Sequence, residues 1–362
     1  MTTAVRRARR ASSLRSDETQ PPIAQRALDR LDFLAPSIGE ADGYGRSAQE
    51  MICTLEAMGV RVRLVGAIRR CGVVAPEIEA LFETRRFQPE ADAIVFYSQP
   101  TSWLRGVGRK SIGFSMFEAD TPPSAWRGGV TLVDEVWVPS TFLEPIFAKE
   151  SGKPTYVIPL AVDGEQFAYR RRERGERLRF LHFAAEGGDE RKGARLAIDA
   201  FQDAFPDRDD VELVLRSQYA ISASDGTRDA RITQIGGRLS ASELLDELYA
   251  ADALLYPSQG EGFGLIPLEA MCTGLPAIYG AHSGMADFAH LGLAVGSNTI
   301  PAPLRYGGSW WRPDHDQLVE RLRSLDTDYD AIMDRAANDA ETIRSEWSWT
   351  RTARAMLDRL NS

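Results

Sequence analysis

Residues 260–274 read GEGFGLIPLEAMCTG. Three glycines fall in the first five positions, an apolar run follows, and Gly274 closes it. The preceding ADALLYPS is a short apolar strand ended by Pro257, and PAIYG beyond Gly274 is another. The stretch therefore reads as strand, loop, helix, strand. The helix starts near Leu265, with Pro267 tolerated in its first turn. The loop glycines either make an ordinary turn or let backbone N–H groups converge on a phosphate at the helix N-terminus. Two carboxylates stand eight positions apart, Glu261 in the loop and Glu269 a turn into the helix. Glu269 is placed either to accept two vicinal hydroxyls, such as a ribose offers, or to cap orphan N–H groups.

The same alternation extends in both directions. RLDFLAPS is a strand, the glycine-bearing IGEADGYGRS a loop, AQEMICTLEAMG a helix and VRVRLVG a strand. DAIVFYS, KSIGFSMF, EVWVPS and TYVIPL continue as short strands. A polar, charged segment at about 161–178 reads as a linker. A second series then begins: strand RFLHFAAE, helix GARLAIDAFQDAF, strands VELVLRSQ and ARITQIG. Next comes the helix SASELLDELYAA, which Ser240 and Glu243 open as a capping box. The C-terminal segments from DQLVERLRSL onward are helical. Alternating helices and strands build doubly wound parallel sheets, whose ligands bind beyond the strands' carboxyl ends. Two such domains leave a cleft between them, the usual place for a ligand.

A chain of 362 residues is long enough for two domains. Apolar content of 43% and charged content of 26% are globular values, and a net charge of −9 argues against general affinity for nucleic acid or anionic membrane. Cys53, Cys71 and Cys272 form no disulfide or metal framework. The four histidines, His182, His282, His290 and His315, lack ligand spacing. No apolar run is long enough to span a bilayer. The opening MTTAVRRARRASSLRS lacks the apolar core of a secretory signal and reads as a disordered basic tail. A cytoplasmic location is expected.

PSQGEGFGLIPLEAMCTGLPAI resembles the E-x(7)-E signature of the retaining glycosyltransferases of family 4, which have the GT-B fold. FLHFAAEGGDERKGARLAIDAF resembles the family's strand, basic loop and KG-helix, and VIPLAVDGEQF its interdomain linker. GFSMFEADTPPSAW with DEVWVPSTF resembles an amino-domain segment of a subset, and SEWSWTRTARAML the terminal helix that crosses back. The resemblance runs in order from about residue 30 onward. It implies a tail over 1–28, an acceptor-side domain over 29–165 joined by the helix 349–362, and a nucleotide-sugar-binding domain over 166–348.

Carried over position by position, the resemblance implies that Glu261 lies beside the donor sugar and Glu269 binds the ribose hydroxyls. It places Gly262, Phe263, Gly264 and Leu265 at the backbone turn near the donor, and Lys192 on the diphosphate. A fixed cation there stabilises charge that grows as the diphosphate leaves; read alone, Lys192 is an ordinary solvated lysine. Many relatives carry V-G-R after the first strand of this domain, whereas Glu186 or Gly187 stands near that arginine's place here. Arg191 or Arg216 is then the candidate second cation. Gly43, Tyr44 and Gly45 correspond to a glycine-rich loop near donor phosphate and acceptor, or form a plain βα turn. Glu118, and less directly Asp120, stand at a strand end facing the cleft, or cap helices. Arg238 in GGRL is placed against the nucleotide base, and Gly284 in SGMADF near the sugar. The aromatics of SWW and EWSW are read as packing.

The implied activity is transfer of a hexose, with retention, from a nucleotide-diphosphate sugar such as UDP- or GDP-hexose. The acceptor, whether saccharide, lipid, metabolite or protein, is not readable. No metal and no separate cofactor are expected. A nucleotide-sugar epimerase on the same architecture, or a subunit that binds the nucleotide without turnover, fits the same sequence.

Overall fold

Short apolar runs alternate with amphipathic helices along the chain, and the strands they form pair in parallel. The computed structural model describes residues 29–39, 42–66, 74, 76–85, 91–106, 109–184, 190–217 and 229–362. The basic tail, Cys71, Glu186 and Gly187 lie outside the described residues. The first sheet holds β1 (Arg30–Leu34), β2 (Arg61–Leu64), β3 (Ala93–Tyr97), β4 (Lys110–Phe114), β5 (Glu135–Val138) and β6 (Thr155–Val157), in the order β2-β1-β3-β4-β5-β6. Its helices are α1 (Gly43–Ala57), α2 (Pro76–Arg85), α3 (Arg127–Val130) and α4 (Leu143–Ser151). The second sheet holds β7 (Leu178–Phe183), β8 (Val211–Ser217), β9 (Ile232–Gly236), β10 (Ala253–Tyr256), β11 (Ala277–Gly280) and β12 (Leu293–Val295). Its order is β12-β11-β10-β7-β8-β9, with α5 (Ala194–Ala204), α6 (Ala241–Ala250) and α7 (Leu265–Cys272) as crossovers.

These orders fix where a ligand belongs. The first sheet grows from β1 toward β2 and then reverses through β3. The second grows from β7 toward β9 and then reverses through β10. Loops after the two strands at a reversal diverge to opposite faces and leave a crevice. In the second sheet those are the loops after β7 and β10, which carry Lys192 and Glu261. In the first, α1 follows β1 at the equivalent reversal.

The structure differs from the sequence expectation at three places. Gly43, Tyr44 and Gly45 are not loop but the first turn of α1, because Asp42 caps the helix by accepting the Gly45 N–H at 2.7 Å. The charged linker hides a structural residue. Arg172 is buried and donates to the carbonyls of Arg170, Leu248, Ala251 and Thr273 and to the Thr273 hydroxyl. Burial lowers its guanidinium to about 10. Lastly, β13 (Ser297–Pro301) and β14 (Ser309–Pro313) form an antiparallel hairpin, where the sequence reading named no element and took only the SWW aromatics as packing.

That hairpin crosses to the first sheet. Trp310 is buried in one apolar cluster with Phe96, Trp103, Phe117 and Trp126, and Asp120 accepts the Ser309 N–H at 2.8 Å. After α8 (His315–Thr327) and α9 (Tyr329–Glu346), α10 (Trp349–Leu360) returns to pack on α1. Its Ala353 and Met356 join Met51 and Ile52 in a cluster that also reaches Tyr256 and Leu268. Among the described residues no helix is long and apolar enough to cross a membrane.

Two buried histidines should lend this fold sensitivity to acid. His182 donates from Nδ1 to the Leu255 carbonyl at 2.8 Å, and burial pushes its imidazole down to about 4. His282 is likewise pushed to about 4, chiefly by burial. A histidine whose pKa is depressed on folding contributes stability above its unfolded value near 6.5, lost as pH falls toward 4. Urea midpoints should therefore drop between pH 7 and pH 5. His182→Gln should remove roughly half of that pH dependence; an unchanged slope would assign the acid sensitivity to other groups.

Candidate functional site

The carboxyl ends of β4 and β10 meet in the cleft, and a buried charge cluster sits between them. Glu261 is 7% exposed. Its Oε1 accepts from Lys192 Nζ at 2.6 Å, Ser258 Oγ at 2.6 Å and the Tyr256 hydroxyl at 2.9 Å. Arg191 Nη1 stands 3.3 Å away and also donates to the Gly260 carbonyl at 2.8 Å. Burial alone would raise the Glu261 carboxyl, but Lys192 and then Arg191 hold it down at about 2. Burial lowers the Lys192 ammonium, with Glu261 opposing. A carboxylate and an ammonium taken out of water cost several kcal/mol each unless paired, and here they pair with each other.

The loop bearing Glu261 is held by a relay of hydrogen bonds. The Glu261 N–H donates to Ser283 Oγ at 3.1 Å, and that hydroxyl donates to His282 Nδ1 at 3.0 Å. The opposite nitrogen, Nε2, donates to the Ser258 carbonyl at 3.0 Å, which sets the tautomer. Ser283 takes a left-handed backbone with φ of 49°, uncommon outside glycine, to complete the relay. Sequence reasoning passed over Tyr256, Ser258 and His282; their positions after β10 and β11 were the signal that could have found them.

The loop glycines serve contact between the two halves. A Cβ on Gly260 would lie 2.1 Å from the Glu118 carbonyl oxygen, and one on Gly262 would lie 2.7 Å from Met116 Cβ. Gly264 caps α7 with φ of 108°. Phe263 is buried against Phe288 and Trp347 and is core, while Leu265 lies against Gly43, whose Cβ would sit 3.6 Å from its Cδ1. Tyr44 is held by Ser115 Oγ at 3.1 Å and the Met116 N–H at 3.0 Å, and burial keeps its phenol protonated.

The remaining expected residues divide. Glu118 lies at the same cleft, its carboxyl raised by burial and by Glu261 but lowered by Arg191 and Lys192. Asp120 anchors the hairpin. Arg216 does not join the cluster: it is buried toward α6, with Nε 3.5 Å from Glu247 Oε1. Arg238 is exposed. Glu269 is 5% exposed, and its Oε1 accepts from Arg46 Nη2 across the cleft, a partner that sequence reasoning missed. Among the described residues no group of three or more His, Cys, Asp or Glu side chains is placed to hold a metal ion.

This geometry defines the class when set beside known proteins. Residues 141–356 match the model of the family described as family 4 glycosyltransferase in conflict systems, and the chain belongs to that family. Over 140 residues it is 30% identical to the glycogen synthase of Mycobacterium tuberculosis strain H37Rv. That match covers 39% of this chain and 31% of the relative, so the chain aligns with about a third of that enzyme's length. The fold is GT-B. HepE of Anabaena, solved with UDP and glucose, superposes with a TM-score of 0.67 at 16% identity, covering 92% of this chain and 100% of that one. Sucrose-phosphate synthase of Thermosynechococcus elongatus gives 0.64 at 15% identity, covering 91% and 98%. WaaG, a glycosyltransferase of lipopolysaccharide biosynthesis, gives 0.61 at 18% identity, covering 91% and 99%.

Gly260→Ala should force the halves apart, because the atom it meets is backbone. Overpacking of this kind costs about 1–3 kcal/mol. A lower melting temperature and a larger radius of gyration by small-angle scattering are expected; no change in either would mean that this contact does not form in solution.

Proposed function

We propose that the protein is a retaining glycosyltransferase that moves a hexose from a nucleotide-diphosphate sugar to an acceptor hydroxyl. The observation that carries this reading is the convergence of Lys192 and Arg191 on Glu261 at the β7/β10 reversal, just before the helix α7 that carries the buried Glu269. Family membership supports it, and so does the presence of UDP and glucose in the structure of HepE.

In this reading the donor lies along the second sheet's crevice. Glu269 receives the two ribose hydroxyls. Lys192 and Arg191 face the diphosphate and stabilise the charge that accumulates as it leaves. The bond between the anomeric carbon and the β-phosphate oxygen breaks, and the phosphate keeps the electron pair. The acceptor oxygen bonds to the same face of the anomeric carbon, and its proton passes to the departing phosphate oxygen. Glu261, ionised across the working pH range, opposes the positive charge that develops on the sugar. The scheme draws its positive charge from basic side chains and calls for neither metal nor cofactor. Contact between the halves excludes water that would hydrolyse the donor. The free thiols of Cys53 and Cys272 suit a reducing, cytoplasmic setting.

A thermal-shift screen against UDP-, GDP-, ADP- and dTDP-sugars tests the reading, followed by turnover with the donor that stabilises most. Lys192→Ala should cut turnover by about 10²–10³-fold, the usual cost of one transition-state donor. Because the variant also strips Glu261 of a partner, its folded fraction is measured in the same sample. Glu269→Ala should weaken nucleotide binding by about tenfold or more, with the two lost hydrogen bonds. Wild-type behaviour of both variants would overturn the site. Tight donor binding with no transfer or hydrolysis would point instead to a nucleotide-binding subunit.

A further inference from the structure

We propose that Arg46 is a donor-binding residue of the amino-terminal half, held by Glu269 until a ribose takes that carboxylate, and then turned onto the donor diphosphate. This rests on the glycosyl-transfer reading and extends it. Three observations carry it.

The first is an unfinished carboxylate. Glu269 Oε1 accepts from Arg46 Nη2, but Glu269 Oε2 is buried with no hydrogen-bond partner. A buried acceptor left unsatisfied costs about 1–3 kcal/mol. One guanidinium N–H cannot complete the pair of oxygens, whereas two vicinal hydroxyls can. Exchange of Arg46 for a ribose therefore replaces a half-satisfied carboxylate with a satisfied one. Arg46 keeps 32% of its side chain exposed, so it can leave without unpacking a core.

The second is where the released guanidinium stands. Arg46 is in the first turn of α1, and the N-terminus of α1 abuts that of α7 through Gly43 and Leu265. Two positive helix ends and a cation gather at one place, which favours a multiply charged anion. Asp42 and Glu50 also lie near enough to act on Arg46, so its charge remains partly balanced when Glu269 is taken.

The third is a charge shortfall. Lys192 and Arg191 bring +2, and Glu261 takes back 1, leaving +1 at the cluster before Glu118 is considered. A nucleoside diphosphate carries more negative charge than that. Arg216, the alternative cation, is engaged by Glu247 on α6. Arg46 is a cation that the first half can add, and its arrival after ribose binding would order the steps: nucleoside first, diphosphate clamped second.

The test compares a nucleoside with its diphosphate on the full chain by calorimetric titration. The base is the one whose diphosphate most stabilises the wild type among UDP, GDP and ADP. In Arg46→Gln the nucleoside should bind as tightly as in the wild type or several-fold tighter, because Glu269 is unoccupied. The diphosphate should bind about tenfold less tightly, the cost of one charge-assisted contact. The advantage of diphosphate over nucleoside thus shrinks. Arg46→Lys should restore most of it, and a merely structural role would not separate the two ligands in this way. In Glu269→Gln both ligands should weaken together, leaving the advantage intact. An unchanged diphosphate advantage in Arg46→Gln, in a variant with wild-type melting behaviour, would overturn the role of Arg46 while leaving the transfer reading standing. A wild type that binds none of the three diphosphates would overturn both.

Discussion

A carboxylate buried between two sheets must be neutralised by something, and Glu261 is neutralised by Lys192 and Arg191. That requirement organises the cleft. The basic pair follows β7 and the acid follows β10, so the pairing ties together the two loops that diverge at the sheet's reversal. The cations hold the acid low against its burial, and the acid in turn opposes the loss of the ammonium's charge on burial. Ser258, Tyr256 and the Ser283–His282 relay then fix the carboxylate in one orientation. The cluster is preorganised before any ligand arrives, which is the condition for electrostatic stabilisation of a transition state.

The glycines of the 260–264 loop have a second meaning in this frame. They bring backbone to backbone across the molecule, with Gly260 against the Glu118 carbonyl. The same closeness that removes a side chain from the loop also removes water from beside Glu261. Exclusion of solvent pushes the acid up, and the same dry setting strengthens the pull of Lys192 and Arg191 that holds it down.

Much of the fold was legible because it depends on local signals. The strand-to-helix alternation, the stop at Gly274 and Pro276, and the box made by Ser240 and Glu243 each lie within a few residues. The parts that were not legible depend on distance. Arg46 meets a partner 223 positions away, and nothing in GYGRSA announces it. Strand alternation sets which face Arg216 occupies, but not that Glu247 stands over that face. Gly43 to Gly45 look like loop, and only the Asp42 cap winds them into α1. The hairpin was missed because its first strand, SNTIP, is mostly exposed and carries little apolar alternation. Its energy comes instead from Trp310, buried in a cluster far away in sequence.

That tryptophan bears on how the molecule is made. The first sheet is complete in sequence by Val157, yet its apolar clusters include Trp310 and the residues of α10. A nascent chain folds its domains as they emerge. Here the amino-terminal sheet leaves the ribosome with an aromatic-sized gap and an uncovered face on α1. The gap waits for Trp310 and the uncovered face for α10, both of which follow the whole second sheet in sequence. The half that is translated first is therefore completed by segments translated after the second half's sheet.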